Sequence, residues 1–398
     1  MKKVALIGGW DALVDLVVAQ GHALYLYYFN DDDFNEVSIS RCQMAMKLSH
    51  IEKLDDVISS HCKRYGFDLI YSHKEVYQEK VAKLAETLKV NGLNFEAVHA
   101  FKNKFVFRTL LKKLTNHSTP WREVNSIEDI AHFIERVGGD IILKPYDGMG
   151  SNNIKKISHI NEVDNISDFP LLAESFVGGD EYSVEFISCN GKHYPVGITK
   201  KVTSGQPYFF EISHTFPADL SSIQEEKIYD IVCSMLDLAD YKNGASHTEF
   251  KIHDQQVVLI ESHTRVGGDR IPVLISESSG YDIIKENMNA MLGEPVHLPV
   301  GIFYKKSASI VYFHGCGGCL ISTSFLDEIR SKCGEKLLLL KFDYKLNDQV
   351  PETKSSSTRY GFVIITGSEK ELVEQVINVS DISHFLKSNQ PSDLSAIS

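Results

Sequence analysis

The chain has 398 residues, of which 41 are Lys or Arg and 53 are Asp or Glu, so its formal net charge is −12. Hydrophobic residues make up 43% and charged residues 24%, which is typical of a globular protein and excludes collagen-like, disordered and disulfide-scaffold classes. The acidic balance argues against a nucleic-acid-binding protein, because phosphate contacts require a basic surface.

The seven cysteines are an odd number spread along the chain, which favours reduced thiols and a cytoplasmic location over a disulfide framework. The first apolar run, Val4–Ile7, ends at Gly8-Gly9 and is too short for a signal peptide. No apolar stretch approaches the roughly 18 residues of a membrane span, so we expect no membrane partner.

The N-terminal part alternates short apolar runs with amphipathic helical patterns, which predicts a small parallel α/β domain over residues 1–98. The predicted strands and helices are, in chain order, Val4–Ile7, Asp11–Gln20, Ala23–Phe29, Leu54–Tyr65, Phe67–Tyr71 and Val76–Leu88. Gly8-Gly9 lacks the third glycine and the acidic residue of a dinucleotide fingerprint, so it predicts a tight strand-to-helix turn.

The rest of the chain mixes helices with antiparallel-looking strands. The predicted elements are helices at 103–114, 127–137, 224–238 and 281–291, strands at 121–124, 140–144, 171–176, 182–188, 194–199 and 207–212, a hairpin at 247–261, and strands at 309–313, 336–341 and 360–365. A change to strand-rich patterns after Pro295–Pro299 marks a further domain. We therefore predict domain bounds of 99–178, 179–300 and 301–398 for this part.

Two glutamates stand out in the predicted hairpin. If a three-residue loop is centred on Gln255, Glu249 lies directly opposite Glu261, with Cβ atoms about 5 Å apart. Two ionised carboxylates at that distance repel each other unless a cation lies between them, and Mg²⁺ shared with substrate phosphates would fill that position. The alternative is a pair of solvent-facing glutamates, because the sequence does not determine the register.

The segment that follows the hairpin is dense in polar side chains. Arg265 and Arg270 supply two cations, His263 is a potential ligand or hydrogen-bonding group, and Gly267-Gly268 allows a tight turn. Such a segment is a poor core and is typical of a phosphate and metal site, where Arg265 could stabilise an anionic transition state. A surface turn with salt bridges is the alternative.

A lysine and a glycine-rich loop follow the strand at 140–144. Lys144 ends an apolar strand, where an unpaired ammonium is costly, so an anionic ligand would explain it. Gly148 and Gly150 let backbone N–H groups approach phosphate oxygens, and Ser151 adds a donor. An ordinary hairpin turn is the alternative.

A second break, at Gly178-Gly179, interrupts an apolar strand that begins at Leu171. Such a hinge can offer backbone groups to a purine, and Glu181 just beyond it could accept hydrogen bonds from ribose hydroxyls. A plain domain linker is equally compatible with this pattern.

In this order, the motifs resemble the ATP-grasp superfamily, in the branch of carboxylate–amine ligases that includes bacterial L-amino-acid (dipeptide) ligases. The resemblance covers residues 60–300. It implies an α/β chain with an ATP-grasp fold: an N-terminal Rossmann-like domain, a lid subdomain, an α+β catalytic core and a C-terminal α+β domain. The implied activity joins a carboxylate, an amino acid, to an amine through an acyl phosphate.

The resemblance also implies a role for each motif. The nucleotide-binding residues would be Lys104, Lys144, Gly148, Gly150, Ser151, Glu174, Phe176, Val177 and Glu181. The metal ligands would be Glu249, Glu261 and His263, and the substrate residues would be His214, Arg265, Gly267, Gly268 and Arg270. Lys144 and Arg265 would be catalytic. The implied cofactors are ATP and one or two Mg²⁺ ions, with Mn²⁺ as an alternative, and a homodimer is a common assembly among relatives.

His263 departs from the family signature Glu-x-Asn-x-Arg, in which asparagine occupies its position. Histidine nitrogen suits Mg²⁺ poorly, so the number of metal ions stays open. His214 resembles a His-x-x-Pro element of this branch, and packing is the alternative to a substrate role.

Two other functions stay open: aminoacyl transfer to another nucleophile such as a carrier-protein thiol, and a catalytically inactive ATP-binding scaffold. The presence of Glu249, Glu261 and Arg265 argues against the scaffold. Cys316 and Cys319 have CxxC spacing but no second pair, which favours a strand-to-turn segment over a zinc or redox site.

Overall fold

The computed structural model describes residues 1–30, 32, 34–114, 117–146, 148, 154–163, 166, 168–367 and 370–387. Its strands are β1 (Lys3–Ile7), β2 (Ala23–Tyr28), β3 (Met44–Lys47), β4 (Leu69–Tyr71), β5 (Trp121–Val124), β6 (Ile141–Pro145), β7 (Lys155–Ile157), β8 (Leu171–Ser175), β9 (Asp180–Cys189), β10 (Lys192–Thr203), β11 (Glu211–Phe216), β12 (Gly244–His253), β13 (Gln256–His263), β14 (Ala308–Tyr312), β15 (Gly318–Leu320), β16 (Leu337–Phe342), β17 (Gln349–Val350), β18 (Gly361–Thr366) and β19 (Leu386–Lys387).

Its α-helices are α1 (Asp11–Ala19), α2 (Glu36–Arg41), α3 (Leu54–Tyr65), α4 (Glu75–Leu88), α5 (Phe95–Lys102), α6 (Lys104–Leu111), α7 (Ile127–Val137), α8 (Ser222–Leu238), α9 (Ile271–Ser279), α10 (Ile283–Leu292), α11 (Ser324–Cys333) and α12 (Lys370–Ser380). Single turns of 3₁₀-helix lie at Ile51–Lys53, Ile160–Glu162, Gly334–Lys336, Ser356–Thr358 and Ser383–Phe385. Within these described ranges, no helix is both long enough and apolar enough to cross a bilayer.

A parallel sheet forms the centre of the N-terminal part, with the strand order β3-β2-β1-β4. Val4–Ile7 in β1 is completely buried, as expected for a central parallel strand covered by helices on both faces. At the end of β1, Gly8 has φ +65°, and a Cβ there would lie 2.9 Å from the ring of Tyr77. Glycine is therefore required at the tight turn that leads into α1.

A small antiparallel sheet with the order β5-β8-β6-β7 forms the lid, and α7 covers it. The side chain of Ser126 caps the N-terminus of α7 by accepting from Asp129 N, and Gly138 ends the helix in a left-handed conformation. Ile130 and Phe133 point from α7 into the lid core. This local agreement of cap, apolar face and terminal glycine explains why the predicted helix and the observed one share the same bounds.

The largest sheet has the order β13-β12-β9-β10-β11-β14-β18-β16 and is antiparallel in each pairing that joins these strands. The hairpin of β12 and β13 forms one edge, and β16 forms the other. Strands from both sides of residue 300 therefore belong to one continuous sheet. The domain bounds stay a prediction, but the C-terminal region is built directly onto the core.

Some elements differ from the expected pattern. The strand expected at 207–212 is β11, Glu211–Phe216, because Pro207 lacks a backbone N–H and Phe209 has φ 54°. This shift places His214 inside a strand. The helices α11 and α12 were missed, although Phe325, Ile329 and Cys333 of α11 follow the helical period and are buried.

Candidate active site

Two glutamates face each other across the edge hairpin of the large sheet. Asp254 and Gln255 have φ values of 47° and 63°, which produce a two-residue turn rather than a three-residue loop. An unbroken ladder from that turn would pair Glu249 with Ile260. A β-bulge shifts the register by one residue and pairs Glu249 with Glu261. The expected pairing is confirmed, but the turn that was expected to produce it was wrong.

Glu249 lies in a buried network of charges. Lys201, which is 4% exposed, forms a close ion pair with Glu249. Its Nζ also lies 3.6 Å from Glu181 Oε1 and 3.6 Å from Glu211 Oε1. Burial alone would raise the pKa of Glu249, but Lys201 and His247 lower that pKa to about 2. Glu249 is therefore ionised at neutral pH.

Glu261 has its own cationic partners. Lys104 Nζ lies 3.6 Å from Glu261 Oε2 and donates to the carbonyl oxygen of Gly148 at 2.7 Å. His263 Nε2 lies 3.3 Å from Glu261 Oε1. Burial would raise the pKa of Glu261, but Lys104 and His263 hold that pKa well below its ordinary value. Two ionised carboxylates thus oppose each other on one face of the hairpin.

The N-terminal part contributes Glu75, the first residue of α4. Its Oε2 accepts a hydrogen bond from Arg265 Nη2 at 2.9 Å and lies 3.1 Å from His263 Nδ1. Burial would raise the pKa of Glu75, but His263 and Arg265 lower that pKa to about 2. The two ring nitrogens of His263 therefore face two carboxylates, that of Glu75 from the N-terminal part and that of Glu261 from the large sheet.

Lys144 lies in a buried triad with two side chains of neighbouring elements. Its Nζ is 2.6 Å from Glu174 Oε2, and Arg108 of α6 forms a close ion pair with the other oxygen of Glu174. Burial would raise the pKa of Glu174, but Arg108 and Lys144 lower that pKa to about 2. Burial lowers the pKa of Lys144, and Glu174 opposes this shift. The protein itself therefore supplies the anion next to Lys144.

A cleft lies between the lid and the large sheet. The residues that line it are Lys104, Thr119, Ile142, Lys144, Pro145, Gly148, Ile154, Glu174, Ser175, Phe176, Val177, Glu181, Phe209, Glu249, Lys251, Ile260 and Glu261. This mixture of apolar walls and a few charged groups is typical of a ligand site. Of the predicted glycine-loop residues, Gly148 lines the cleft, while Gly150 and Ser151 lie outside the described residues.

The turn after β13 packs tightly against the charged network. Gly267 N donates to Glu185 Oε2 at 3.0 Å, and a Cβ at this glycine would lie 3.0 Å from both Glu185 and His247. Glu185 Oε1 lies 2.5 Å from His247 Nδ1. Gly268 is exposed and would accept a Cβ without a close contact. Of the two glycines, Gly267 is therefore the one at which a side chain would collide with its neighbours.

The C-terminal region holds the end of this turn. Arg359 donates to both carboxylate oxygens of Asp269, at 2.9 Å and 2.6 Å. His214 Nε2 lies 3.3 Å from Asp269 Oδ2, so His214 supports the turn from β11. The exposed Arg270 places its Cζ 4.3 Å from the ring centroid of Phe362. Arg270 is thus held by an aromatic face, and no ion pair to it is found among the described residues.

Comparison with known proteins identifies the fold in which these residues are arranged. Residues 162–273 match the family model described as ATP-grasp domain. The crystal structure of an L-amino acid ligase from Bacillus licheniformis superposes with a TM-score of 0.79 over 95% of this chain and 97% of that chain, at 20% sequence identity. The chain therefore has the ATP-grasp fold. N5-carboxyaminoimidazole ribonucleotide synthetase from Thermotoga maritima has the same fold, with a TM-score of 0.71 over 97% of this chain and 99% of that chain, at 15% identity.

Curated proteins that are similar to this chain include two ligases from Bacillus subtilis. Alanine–anticapsin ligase of strain 168 is 25% identical over 295 residues, which cover 66% of this chain and 62% of that protein. L-arginine-specific L-amino acid ligase is 22% identical over 283 residues, which cover 67% of each protein. The chain therefore spans less than two thirds of the length of the first of these ligases.

The cleft has a donor set that fits a hard divalent cation. The oxygens of Glu249 and Glu261 are ionised, lie on one face and line the same cleft. Carboxylates complemented by substrate phosphates are the ligands that Mg²⁺ prefers. Both nitrogens of His263 already face carboxylates. Among the described residues there is no preformed cluster of three or more His, Cys, Asp or Glu side chains, so phosphate oxygens would complete the coordination.

Four charged residues of the site were missed by sequence reasoning: Lys201, Glu75, Arg108 and Arg359. Each acts through a partner that is far away in the chain, such as Glu75 and Arg265, which are 190 residues apart. For Lys201 and Arg108, the sequence periodicity could have indicated a place in the site. Lys201 belongs to a strand in which it faces the same side as buried Thr199, and Arg108 follows Lys104 by one helical turn.

Proposed function

We propose that this ATP-grasp protein is an ATP-dependent ligase that joins an amino-acid carboxylate to an amine and releases ADP and phosphate. The observation that carries the proposal is the convergence of Lys104, Lys144 and the opposed pair Glu249 and Glu261 on one cleft. Lysines suit the phosphates, and the carboxylates suit a divalent cation. The ligase names of the relatives support the same reaction class.

The first step forms an acyl phosphate. A carboxylate oxygen of the substrate attacks the γ-phosphorus of ATP, a new P–O bond forms, and the bond to ADP breaks. Lys104 and Lys144 would neutralise the phosphate oxygens, since phosphoryl transfer depends on positioning and charge compensation. Glu249 and Glu261 would hold Mg²⁺, which supplies further charge neutralisation at the phosphates when it is bound.

The second step forms the amide. The amine attacks the acyl carbon, the C–N bond forms, the amine loses a proton, and phosphate leaves with the electrons of the C–O bond. Arg265 would stabilise the anionic tetrahedral state, and its ion pair with Glu75 orients the guanidinium. The covering lid would exclude water, which otherwise hydrolyses the acyl phosphate.

Substrate binding is proposed for the turn that follows β13. Arg270 has an aromatic support and an exposed guanidinium, which suits a substrate carboxylate. Gly267 and Gly268 give the substrate backbone access, while His214 orients Asp269 within the turn. Because the exposed guanidinium suits a carboxylate, we expect amino acids or short peptides as substrates.

The cofactors in this proposal are ATP and one or two Mg²⁺ ions, for which Mn²⁺ can substitute. A cytoplasmic location fits the cysteines, all of which are free thiols. A homodimer is part of the same proposal, as are small-molecule partners on both sides of the reaction.

Phosphate release from ATP in the presence of a panel of amino acids, singly and in pairs, tests the proposal. A ligase releases phosphate only with particular amino acids, and Glu261→Ala should abolish this release. Glu328→Ala, on an exposed position of α11, is the control and should retain full activity. Near-normal turnover of Glu261→Ala would rule out the assignment.

Mass spectrometry of the products separates the alternatives. A ligase yields an amide with the mass of both substrates minus water. Transfer to a carrier protein yields a thioester and needs the carrier for turnover. An inactive scaffold binds ATP and releases no phosphate with any combination.

A further inference from the structure

Arg108 is the most deeply buried cationic side chain described in the site, at 1% exposure, and its guanidinium reaches two separate elements. Its Nε pairs with Glu174 of the lid strand β8. Its Nη1 and Nη2 donate to the carbonyl oxygens of Leu259 and Ile260, at 2.7 Å and 2.9 Å. One planar guanidinium therefore joins the lid to the edge strand β13, which a lysine ammonium cannot do with the same fork of donors.

The lid contact changes the charge that a nucleotide would meet. Glu174 carries one negative charge and has two cationic partners, Arg108 and Lys144. The three side chains together keep one positive charge, because Arg108 neutralises the carboxylate. Without Arg108, the Glu174 carboxylate would neutralise the positive charge of Lys144, and the cleft would attract phosphate less strongly.

The contact to β13 falls on the β-bulge itself. Ile260 is the extra residue at which the register shifts so that Glu261 comes opposite Glu249, and Leu259 directly precedes it. Since β13 is an edge strand, it has a strand partner on one side, and Arg108 supplies the hydrogen-bond donors for the carbonyls of both residues. The same helix places Lys104 one turn earlier, with its Nζ 3.6 Å from Glu261.

We propose that Arg108 is a positioning residue that sets the nucleotide-binding lysines against the metal-binding carboxylates through Glu174 and the bulge. This inference rests on the nucleotide site of the proposed function and adds a residue that does not itself line the cleft. It separates two effects of one side chain: a net charge left at Lys144, and a backbone geometry that holds Glu261 opposite Glu249.

The test measures binding of a non-hydrolysable ATP analogue by calorimetry, with Mg²⁺ and with EDTA, together with the melting temperature of each variant. The variants are Arg108→Lys, Arg108→Gln, Glu174→Gln and the double variant Arg108→Gln/Glu174→Gln. Arg122→Gln is the matched control, because Arg122 pairs with Asp129 at an exposed position of the same lid.

We expect Arg108→Gln to weaken analogue binding by about tenfold, as for loss of a buried charge partner. In the Glu174→Gln background the same change should cost far less, since Lys144 then keeps its charge without Arg108. Arg108→Lys should keep binding in EDTA but lose most of the gain that Mg²⁺ gives the wild type, because it restores the charge and not the clamp on the bulge.

Two results would overturn the inference. One is wild-type affinity in both Arg108 variants with only a lower melting temperature, which indicates a purely structural role. The other is a double variant whose losses simply add. If Arg108→Gln does not fold, the Mg²⁺ dependence of Arg108→Lys decides alone.

The outcome is independent of the ligation chemistry. Wild-type binding of the analogue without any amide product would contradict the proposed function and leave the role of Arg108 intact. Amide formation by the wild type, with unaltered analogue binding by the Arg108 variants, would support the proposed function and contradict the role of Arg108.

Discussion

At the scale of single residues, the site is a set of buried charges that neutralise one another in pairs and triads. Lys201 is the centre of the largest set, with Glu181, Glu211 and Glu249 around it. Burial would lower the pKa of Lys201, but these carboxylates raise that pKa well above its ordinary value. The Lys201 ammonium therefore balances the carboxylate charge around the proposed metal ligand Glu249.

Replacement of Lys201 by Met should therefore remove turnover and destabilise the fold. Breaking a buried ion pair leaves uncompensated charge and typically costs about 3–5 kcal/mol. Urea denaturation and phosphate release measure the two effects. Lys200→Met, one residue earlier and pairing with Asp180 at an exposed position, should change both by much less. Equal behaviour of the two variants would contradict the assignment of Lys201 to the site.

At the scale of elements, a short turn and a β-bulge together place the opposed pair Glu249 and Glu261. The bulge brings both Ile260 and Glu261 to the cleft, which Phe176 also lines. Lys156 Nζ lies 4.4 Å from the centroid of the Phe176 ring and stabilises this aromatic wall. The edge strand thus contributes an apolar side chain and a proposed metal ligand at successive residues.

Ile260→Ala should weaken nucleotide binding without a comparable loss of the chemical step. Ile260 is half-buried, so its truncation removes roughly two CH₂ equivalents of apolar contact with the base, at roughly 0.8 kcal/mol each, and we expect about a tenfold higher KM for ATP. Steady-state kinetics with kcat and KM measured separately checks this. A large fall in kcat at saturating ATP would instead indicate that the bulge itself had moved Glu261.

The lid triad predicts a specific acid sensitivity. The folded-state pKa of Glu174 is about 2, below its ordinary value of 4.5, so its ionisation stabilises the fold above pH 4.5. This contribution is lost as the pH falls from about 4.5 through 2. The difference in free energy of unfolding between wild type and Glu174→Gln should shrink across that window. A difference that stays constant with pH would show that Glu174 is not held ionised.

At the scale of the whole molecule, both flanking parts contribute a charged side chain to the turn that follows β13. Glu75 from the N-terminal part binds Arg265, and Arg359 from the C-terminal region binds Asp269. Arg359 also lies 3.6 Å from the ring centroid of Tyr312, which donates its hydroxyl to the backbone oxygen of Asp269. The proposed substrate turn is therefore held from two sides.

Arg359→Met should loosen the turn and raise the KM for the amino-acid substrate, while nucleotide-analogue binding stays close to wild type. This split is expected because Arg359 contacts Asp269 and Glu211 but does not line the proposed nucleotide cleft. Kinetics against both substrates measures the split. Arg330→Met, at an exposed ion pair on α11, is the control. A parallel loss of nucleotide affinity would contradict this division of the site.

The sequence predicted much of this architecture, and the misses share one physical cause. Periodicity and capping are local, so α7 could be predicted from neighbouring residues. The pairing of Glu249 with Glu261 was predicted correctly, but from a three-residue loop, whereas a two-residue turn and a bulge produce it. Charge partners from other elements could not be predicted, because nothing local to Lys144 reveals that Glu174 and Arg108 meet it. The bulge was missed for the same reason, since its carbonyls are satisfied by a helix 151 residues away.

In the proposed mechanism, a substrate carboxylate attacks ATP directly to form an acyl phosphate. An amino acid labelled with ¹⁸O in the carboxylate, supplied with ATP, Mg²⁺ and the acceptor amine, tests this step. We expect one ¹⁸O atom in the released phosphate for each amide formed. Phosphate that carries no ¹⁸O, despite amide formation, would rule out the acyl phosphate.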